Sequence, residues 1–254
     1  MVYLPSMQNR LHTPECKSTN TLADDLIRDR SFLIQKHGLY ITTDFQTAGR
    51  GHGRNSWHSN RSCNLLMSLI INKPDIAPDL QFHLSRMVAL ALQQCVSIVL
   101  PKPHIVEIKW PNDLLVNHKK IAGILIENKI AGSRILQSII GIGLNINEDQ
   151  FPSSLTNATS FLMETGKAHA PDEIRWLLHE CLQRSANDLI TGFDKIHQLY
   201  DEHLYMKGVE SRFTGQFGPI SGTITGTTTE GLLVIKTSSE ELKFGYKEVV
   251  YPGW

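Results

Sequence analysis

The 254-residue sequence has no excess of charge of either sign. Its 25 basic residues are matched by 25 acidic ones, so its formal net charge at pH 7 is zero. Proteins that bind nucleic acids or membrane surfaces through charge usually carry a basic excess. The balance therefore argues against DNA, RNA and membrane surfaces as general partners.

Long apolar runs, a secretion signal and closely spaced cysteines are also missing. Eighteen apolar residues never occur in succession, and the start MVYLPSMQNRLH lacks a charged stretch followed by an apolar one. We therefore expect neither a membrane span nor secretion, and a cytoplasmic location fits best. Cys16, Cys63, Cys95 and Cys181 form no C-x-x-C pair, which argues against a disulfide framework or a zinc site.

Apolar periodicity predicts a mixed α/β fold. A capped helix should begin near residues 18–20, and further helices are predicted at FHLSRMVALALQQCVSIVL and within residues 171–204. Strands are predicted at GLYITT, CNLLMSLII, HIVEIKW, DLLVN, IAGILIEN and RILQSIIGIGLNIN. Because few helices separate these strands, the sheet should be mixed and largely antiparallel. After Gly208, short strands and turns predict a small barrel.

A glycine-rich stretch, QTAGRGHGRNSWHSN at residues 46–60, lies in the acid-free run 45–74. No helical pattern follows its glycines, and no G-x-x-x-x-G-K-S/T occurs, which excludes a Rossmann phosphate loop and a P-loop. A plain surface loop and an anion-binding loop both remain open. Arginine forks and backbone amides suit phosphate or carboxylate. Trp57 would either cover an apolar ligand or fill the core.

A second group of polar residues lies in KWPNDLLVNHKKIAGILIEN, residues 109–128. Pro111, Asn112 and Asp113 predict a turn into a hairpin, with Lys119 and Lys120 at its tip or just past it. A lysine pair at a turn commonly lies at a solvent-exposed sheet edge, where it discourages pairing with another strand. Strand-interior glycines are less ordinary and mark the close approach of a ligand or another backbone. The glycines of IAGILIEN and GIGLNIN on neighbouring strands therefore predict a slot.

Three ordered motifs resemble the catalytic domain of biotin protein ligases: GRG followed six residues later by Trp57, KWPND with KIAGILIE, and GIGLN. The resemblance covers about residues 16–147. It implies an α+β catalytic domain with a mixed sheet, like that of class II aminoacyl-tRNA synthetases, over residues 1–206. An SH3-like barrel over residues 207–254 is implied to follow. Because the motif STN lies near residue 20, a monofunctional ligase without an N-terminal DNA-binding domain is expected.

The resemblance also implies a two-step, ATP-dependent reaction. The biotin carboxylate attacks the α-phosphate of ATP and forms biotinyl-adenylate and pyrophosphate, with Mg²⁺ sharing the charge. A lysine of a biotin carboxyl carrier protein domain then attacks the mixed anhydride. The resemblance implies neither DNA nor a membrane as a partner, and it leaves a homodimer open as the assembly.

The resemblance assigns catalytic roles to Arg50, Asn112, Asp113 and Lys120. Biotin binding is implied for Ser18, Thr19, Asn20, Gln46, Gly49, Arg50, Gly51, His52, Lys120, Gly123, Leu125, Gly141 and Gly143. Binding of ATP or the adenylate is implied for Arg50, His52, Arg54, Trp57, Asn112, Lys120 and Asn145. Lys120 is expected to contact the biotin carboxylate and the α-phosphate, whereas Lys119 should face solvent. No metal ligand is assigned.

The glycine-rich stretch departs from the family pattern G-R-G-R-x-G-R-x-W, since it reads GRGHGRNSW. His52, with an ordinary pKa of about 6.5, should be mostly neutral at pH 7. It should hold the adenylate less firmly than arginine would, unless Arg54 compensates. We expect the C-terminal domain to make an auxiliary contact to ATP or to the carrier.

Two other functions stay open. Lipoate or octanoate ligases share the fold by resemblance, but their R-R-x-x-G-G-G signature is absent. A non-enzymatic nucleic-acid-binding protein is the second, and the neutral composition does not favour it.

Overall fold

The computed structural model describes residues 2–31, 34, 38–53, 55–100 and 102–254. Its helices are α1 (Thr19–Arg28), α2 (Phe82–Val99), α3 (Phe161–Thr165), α4 (Pro171–Thr191) and α5 (Phe193–Glu202). Its strands are β1 (Arg10–Thr13), β2 (Leu39–Thr43), β3 (Leu65–Asn72), β4 (Val106–Lys109), β5 (Asp113–Val116), β6 (Lys119–Ala131), β7 (Arg134–Leu144), β8 (Glu210–Gly215), β9 (Gly218–Thr227), β10 (Leu233–Lys236), β11 (Glu241–Phe244) and β12 (Val249–Val250).

Each segment that apolar periodicity marked as a helix or strand contains one. The sequence prediction missed β1 and α3, and both are short. β1 is polar in sequence and is held by its backbone pairing with β2, which no local pattern announces. α3 has five residues and is capped by the Ser160 side chain, which accepts a hydrogen bond from the Met163 amide.

Seven strands form the larger sheet, in the order β1-β2-β3-β7-β6-β5-β4. Only β1 and β2 run parallel among these described strands, and the other neighbours are antiparallel. The expectation of a mixed, largely antiparallel sheet is therefore confirmed. At its centre, the long β6–β7 hairpin places Gly123 opposite Gly143 and Leu125 opposite Gly141.

Helices cover the two faces of this sheet unequally. On one face, α1 lies against β3 and β7, and Ala23 packs with Ile41, Ile70 and Ile139. On the other face, α2, α4 and α5 pack together over the main core. Each fully buried aliphatic side chain in these layers contributes about 1.5–3 kcal/mol to folding. The α1 face is left partly open, and the candidate site lies there.

The C-terminal strands form a second, five-stranded antiparallel sheet in the order β11-β10-β9-β8-β12. It packs on the N-terminal part of the chain through a shared core and through specific hydrogen bonds. Trp110 Nε1 donates to the Gly231 carbonyl at 2.8 Å, and the Thr227 amide donates to Asp201 Oδ2 at 3.0 Å. The domain boundary after residue 206 precedes β8 and stays a prediction.

One described helical segment, Pro78–Val99, is long and apolar enough to cross a bilayer, with a mean hydropathy of 1.3. Within its apolar window, 61% is buried inside the protein. Leu84, Met87, Val88 and Leu92 are fully buried in the core beneath α4 and α5. Burial within the protein therefore accounts for the apolar composition of this helix.

Candidate active site

A cavity of about 590 Å³ opens between β5, β6 and β7, the glycine-rich stretch and the C-terminal sheet. Most of the predicted site residues line it: Ser18, Thr19, Asn20, Gln46, Arg50, Gly51, His52, Trp57, Asn112, Asp113, Lys120, Gly123, Leu125, Gly141 and Gly143. Folding thus brings three motifs that are distant in sequence to one place.

Two predicted residues, Gly49 and Asn145, do not line the cavity. Gly49 packs behind the glycine-rich stretch, where a Cβ would lie 2.5 Å from the Trp57 carbonyl oxygen. The Asn145 side chain is buried and donates to the Thr159 carbonyl at 3.0 Å. Arg54 lies outside the described residues. The roles assigned to these three residues stay predictions.

The N-terminus of α1 forms a polar network at one end of the cavity. The Thr19 amide donates to Gln46 Oε1 at 2.8 Å, and Asn20 Nδ2 donates to Glu127 Oε2 at 2.8 Å and to the Leu125 carbonyl at 3.2 Å. Ser68 Oγ, fully buried on β3, lies 2.7 Å from Thr19 Oγ1 and 2.6 Å from Asn20 Oδ1. This network fixes hydroxyl and amide groups at the wall of the cavity, where a polar ligand group can find partners.

The strand glycines allow close approach, as predicted, but protein atoms make that approach in this structure. A Cβ on Gly141 would lie 2.3 Å from Asn20 Oδ1. A Cβ on Gly143 would lie 2.4 Å from the Trp57 indole, and one on Gly123 would lie 2.9 Å from it. The Trp57 indole therefore packs against Gly123 and Gly143, and it lines the cavity rather than filling the main core.

A β-bulge brings Lys120 to the cavity. The register between β5 and β6 shifts at Leu115, so that Asp113 pairs with Gly123 but Leu115 pairs with Lys120. In a regular strand, residues three apart point to opposite faces, and a bulge removes this alternation. Lys120 Nζ consequently lies 2.6 Å from Asp113 Oδ1 and 5.6 Å from the centre of the Trp57 ring. Lys119, by contrast, is exposed, as expected.

Arg50 is held by a carboxylate that the sequence analysis did not single out. Its guanidinium forms a two-point ion pair with Glu127, at 2.6 and 3.2 Å. The same carboxylate accepts from Asn20 Nδ2. Glu127 thus connects the glycine-rich stretch to the start of α1, and it orients the Arg50 fork beside the cavity.

The cavity has an excess of positive charge. Its described lining residues include four cations, Arg50, Lys109, Lys120 and Lys247, and one carboxylate, Asp113. Glu127 neutralises Arg50 from outside the lining, and Asp113 pairs with Lys120, which leaves Lys109 and Lys247 as the excess. Burial is the main cause that lowers the pKa of Lys109, and Asp113 opposes this shift. No group of three His, Cys, Asp or Glu side chains suited to a metal ion occurs in the described part of the chain. The charge distribution favours an anionic ligand.

The surroundings of His52 favour its neutral form. Burial, and secondarily the charge of Lys247, lower its pKa below the ordinary value, while Asp113 opposes the shift. The expectation that position 52 carries no full charge is thus supported by its surroundings.

Asn112 has a structural contact at the turn before β5. Its side chain donates to the Ile124 carbonyl at 2.8 Å, which fixes this turn.

Residues of the C-terminal sheet also line the cavity, and the sequence analysis assigned none of them. These residues are Tyr246, Lys247, Val249, Val250, Tyr251 and Trp254. Lys109 Nζ lies 4.1 Å from the centre of the Trp254 ring and 5.1 Å from that of Tyr251. Lys109 and these two rings form one wall. No local pattern identifies such residues, because their role depends on how the second sheet packs.

Ser68 offers a test of the polar network. We expect Ser68→Ala to lower the free energy of unfolding by about 1–2 kcal/mol, because it leaves buried partners unsatisfied. Ser138 on β7 is the matched control: it is also fully buried, but its Oγ has no hydrogen-bond partner in the described part of the chain. Chemical denaturation should show Ser138→Ala to be nearly neutral. Equal destabilisation by both changes would contradict the network.

The fold and the cavity define a class of protein: an α+β protein with a cavity suited to a partly apolar, anionic ligand, between a mixed sheet and a small second sheet. The biotin/lipoate A/B protein ligase family matches residues 13–145. The chain belongs to this family.

Named relatives and solved structures agree with this assignment. The bifunctional ligase/repressor BirA of Bacillus spizizenii is 32% identical over 235 residues, which cover 91% of this chain and 70% of the relative. The biotin–acetyl-CoA-carboxylase ligase of Mycobacterium tuberculosis is 31% identical over 140 residues, or 54% of this chain and 49% of the relative. The fold is similar to that of the Aquifex aeolicus biotin protein ligase in complex with biotin and ATP, with a TM-score of 0.77 at 22% identity, over 96% of this chain and 98% of that chain.

Proposed function

We propose that the chain is an ATP-dependent biotin protein ligase that activates biotin as biotinyl-adenylate and transfers it to a lysine of a carrier protein. The observation that carries the proposal is the order of groups along β6. The Asn20 network lies at Leu125, the glycine pair and Trp57 follow at Gly123, and Lys120 comes last. A ligand with a hydrogen-bonding head, an apolar middle and a carboxylate matches this order, and biotin is such an acid.

The residues of the cavity support a division of labour in the first step. Lys120, fixed by Asp113, neutralises the carboxylate of the acid and the α-phosphate as they approach. The carboxylate oxygen forms a bond to the α-phosphorus, and the bond to pyrophosphate breaks. Arg50 and Lys109 add positive charge near the same place. In the second step the carrier amine attacks the acyl carbon, AMP leaves, and the amine loses a proton.

Pyrophosphate release from MgATP tests the choice of acid. We expect release with biotin, and little with lipoate, octanoate or no added acid. A site built to hydrogen-bond a polar head rejects acids that lack it, because its own polar groups would be left unpaired. Release with lipoate or octanoate, but not with biotin, would make the chain a lipoate or octanoate ligase instead. The absence of release with every acid would contradict the proposal.

The carrier is a biotin carboxyl carrier domain, in line with relatives that are named ligases of acetyl-CoA carboxylase. Mass spectrometry of a carrier domain after incubation with biotin and MgATP should show one added biotinyl group. A carrier whose acceptor lysine is arginine is the control. Unmodified wild-type carrier, despite pyrophosphate release, would contradict the transfer step.

The proposal includes a monofunctional ligase that does not bind DNA. The neutral composition supports the absence of DNA binding, since binding to DNA phosphates depends on basic residues. The proposal also includes a cytoplasmic location and a monomer or homodimer as the assembly. A DNA probe should show no salt-dependent shift in the presence of the protein. Sedimentation with and without biotin and MgATP would determine the assembly.

A further inference from the structure

The turn at residues 245–248, between β11 and β12, packs on the glycine-rich stretch. The His52 ring meets the Tyr246 ring edge-on, with centroids 3.8 Å apart, and the Tyr246 hydroxyl donates to the His52 carbonyl at 3.2 Å. The Gly245 amide donates to Glu248 Oε2 at 2.6 Å, which closes the turn upon itself. The second sheet therefore holds the glycine-rich stretch at the position where the sequence departs from the family pattern.

The ammonium group of Lys247 lies beside Gly53, the residue that follows His52 in the glycine-rich stretch. Its backbone is left-handed, with φ of 65°, and a Cβ on Gly53 would lie 3.2 Å from its Nζ. Lys247 lines the cavity, and no carboxylate of the described residues lies within 4.0 Å of its Nζ. The Glu248 carboxylate is engaged by Gly245 instead. A lysine at the rim of an anion-binding cavity, without an ion-pair partner, is available to a ligand.

We propose that Lys247 binds the phosphates of the nucleotide and of the acyl-adenylate, and so supplies from the C-terminal sheet the cation that His52 does not. Tyr246 is the positioning residue that keeps the glycine-rich stretch against Lys247. The inference rests on the proposed function for the adenylate, but its nucleotide part is testable without it. It makes residues 245–248 a component of the active site.

Lys247→Gln should raise the Kd for MgATP about tenfold, the usual size of a lost charge-assisted hydrogen bond. Isothermal titration calorimetry measures this value without any acid present. Lys247→Arg should bind MgATP like the wild type. Lys243→Gln is the matched control, because Lys243 is an exposed lysine of β11 that does not line the cavity. An unchanged Kd in Lys247→Gln would overturn the inference.

Compensation between the two positions gives a second test. In the Lys247→Gln background, His52→Arg should restore MgATP binding to within about threefold of the wild type, because it returns a cation to the same place. Failure of this rescue would show that the two side chains do not serve the same phosphate. If Lys247→Gln weakens MgATP binding but biotin supports no pyrophosphate release, the proposed function fails and the nucleotide site stands.

Tyr246 is tested by proteolysis of the glycine-rich stretch. Tyr246→Ala should increase the rate of tryptic cleavage after Arg50 several-fold, because the ring contact and the hydrogen bond to His52 are both lost. Phe217→Ala is the control, since the Phe217 side chain on the same sheet is fully exposed. Equal cleavage rates in wild type and Tyr246→Ala would contradict the positioning role.

Discussion

Biotin-dependent release of pyrophosphate from MgATP should fall at least about a hundredfold when Lys120 is replaced by glutamine. Preorganised charges that face the developing negative charge are among the largest contributors to catalysis, and removal of one commonly costs 10²–10³ in rate. Lys120 is preorganised by its 2.6 Å ion pair with Asp113 and by the β-bulge that turns it to the cavity. The measurement is a steady-state pyrophosphate assay with varied biotin and varied MgATP.

The neighbouring lysine provides the control for this prediction. Lys119 precedes Lys120 on the same strand, but it is exposed and does not line the cavity. Lys119→Gln should leave the rate within about twofold of the wild type, as is usual for a surface substitution. Comparable losses in the two variants would remove Lys120 from its assigned role. Chemical denaturation of both variants separates a catalytic effect from a loss of folding.

Local sequence patterns sufficed for the elements that are rich in apolar residues. The helix α2 and the strands β3, β6 and β7 are examples, since each carries a run of apolar residues that packs into the core, and β3 is buried at seven consecutive positions. The sequence also placed Gly123 and Gly143 on neighbouring strands, but it did not predict that they lie opposite each other. In contrast, the polar strand β1 depends on pairing with β2, and no local pattern encodes that pairing.

The candidate site could be predicted where motif residues act within their own strand or loop. Lys120 and Asp113 were identified through the motifs that resemble the family, although the bulge that joins them was not, because a register shift depends on the partner strand. Glu127 and Ser68 were missed since each looks like an ordinary strand residue in sequence. Lys247 was missed because its place at the cavity depends on the packing of the whole second sheet.

That packing depends on a buried cation in the core. Arg86 on α2 is fully buried, and its guanidinium donates to Thr227 Oγ1 and to the carbonyls of Thr228 and Thr229 in the β9–β10 connection. Phe82 covers it, with its ring centre 4.7 Å away. Burial lowers the pKa of Arg86 to about 10, so it stays charged at neutral pH. Arg86 thus ties the second sheet to the catalytic part.

Arg86→Leu should lower the free energy of unfolding by about 3 kcal/mol, because it removes three hydrogen bonds that a buried guanidinium donates, and each contributes about 1 kcal/mol. Urea denaturation measures this loss. Arg184→Leu is the control: Arg184 is exposed and, among the residues that the structure describes, forms a surface pair with Glu180, so its loss should cost less than about 1 kcal/mol. At temperatures where Arg86→Leu remains folded, MgATP binding should also weaken, because residues 245–248 lose their fixed position. A variant as stable as Arg184→Leu would show that the two sheets are held together by apolar packing rather than by Arg86.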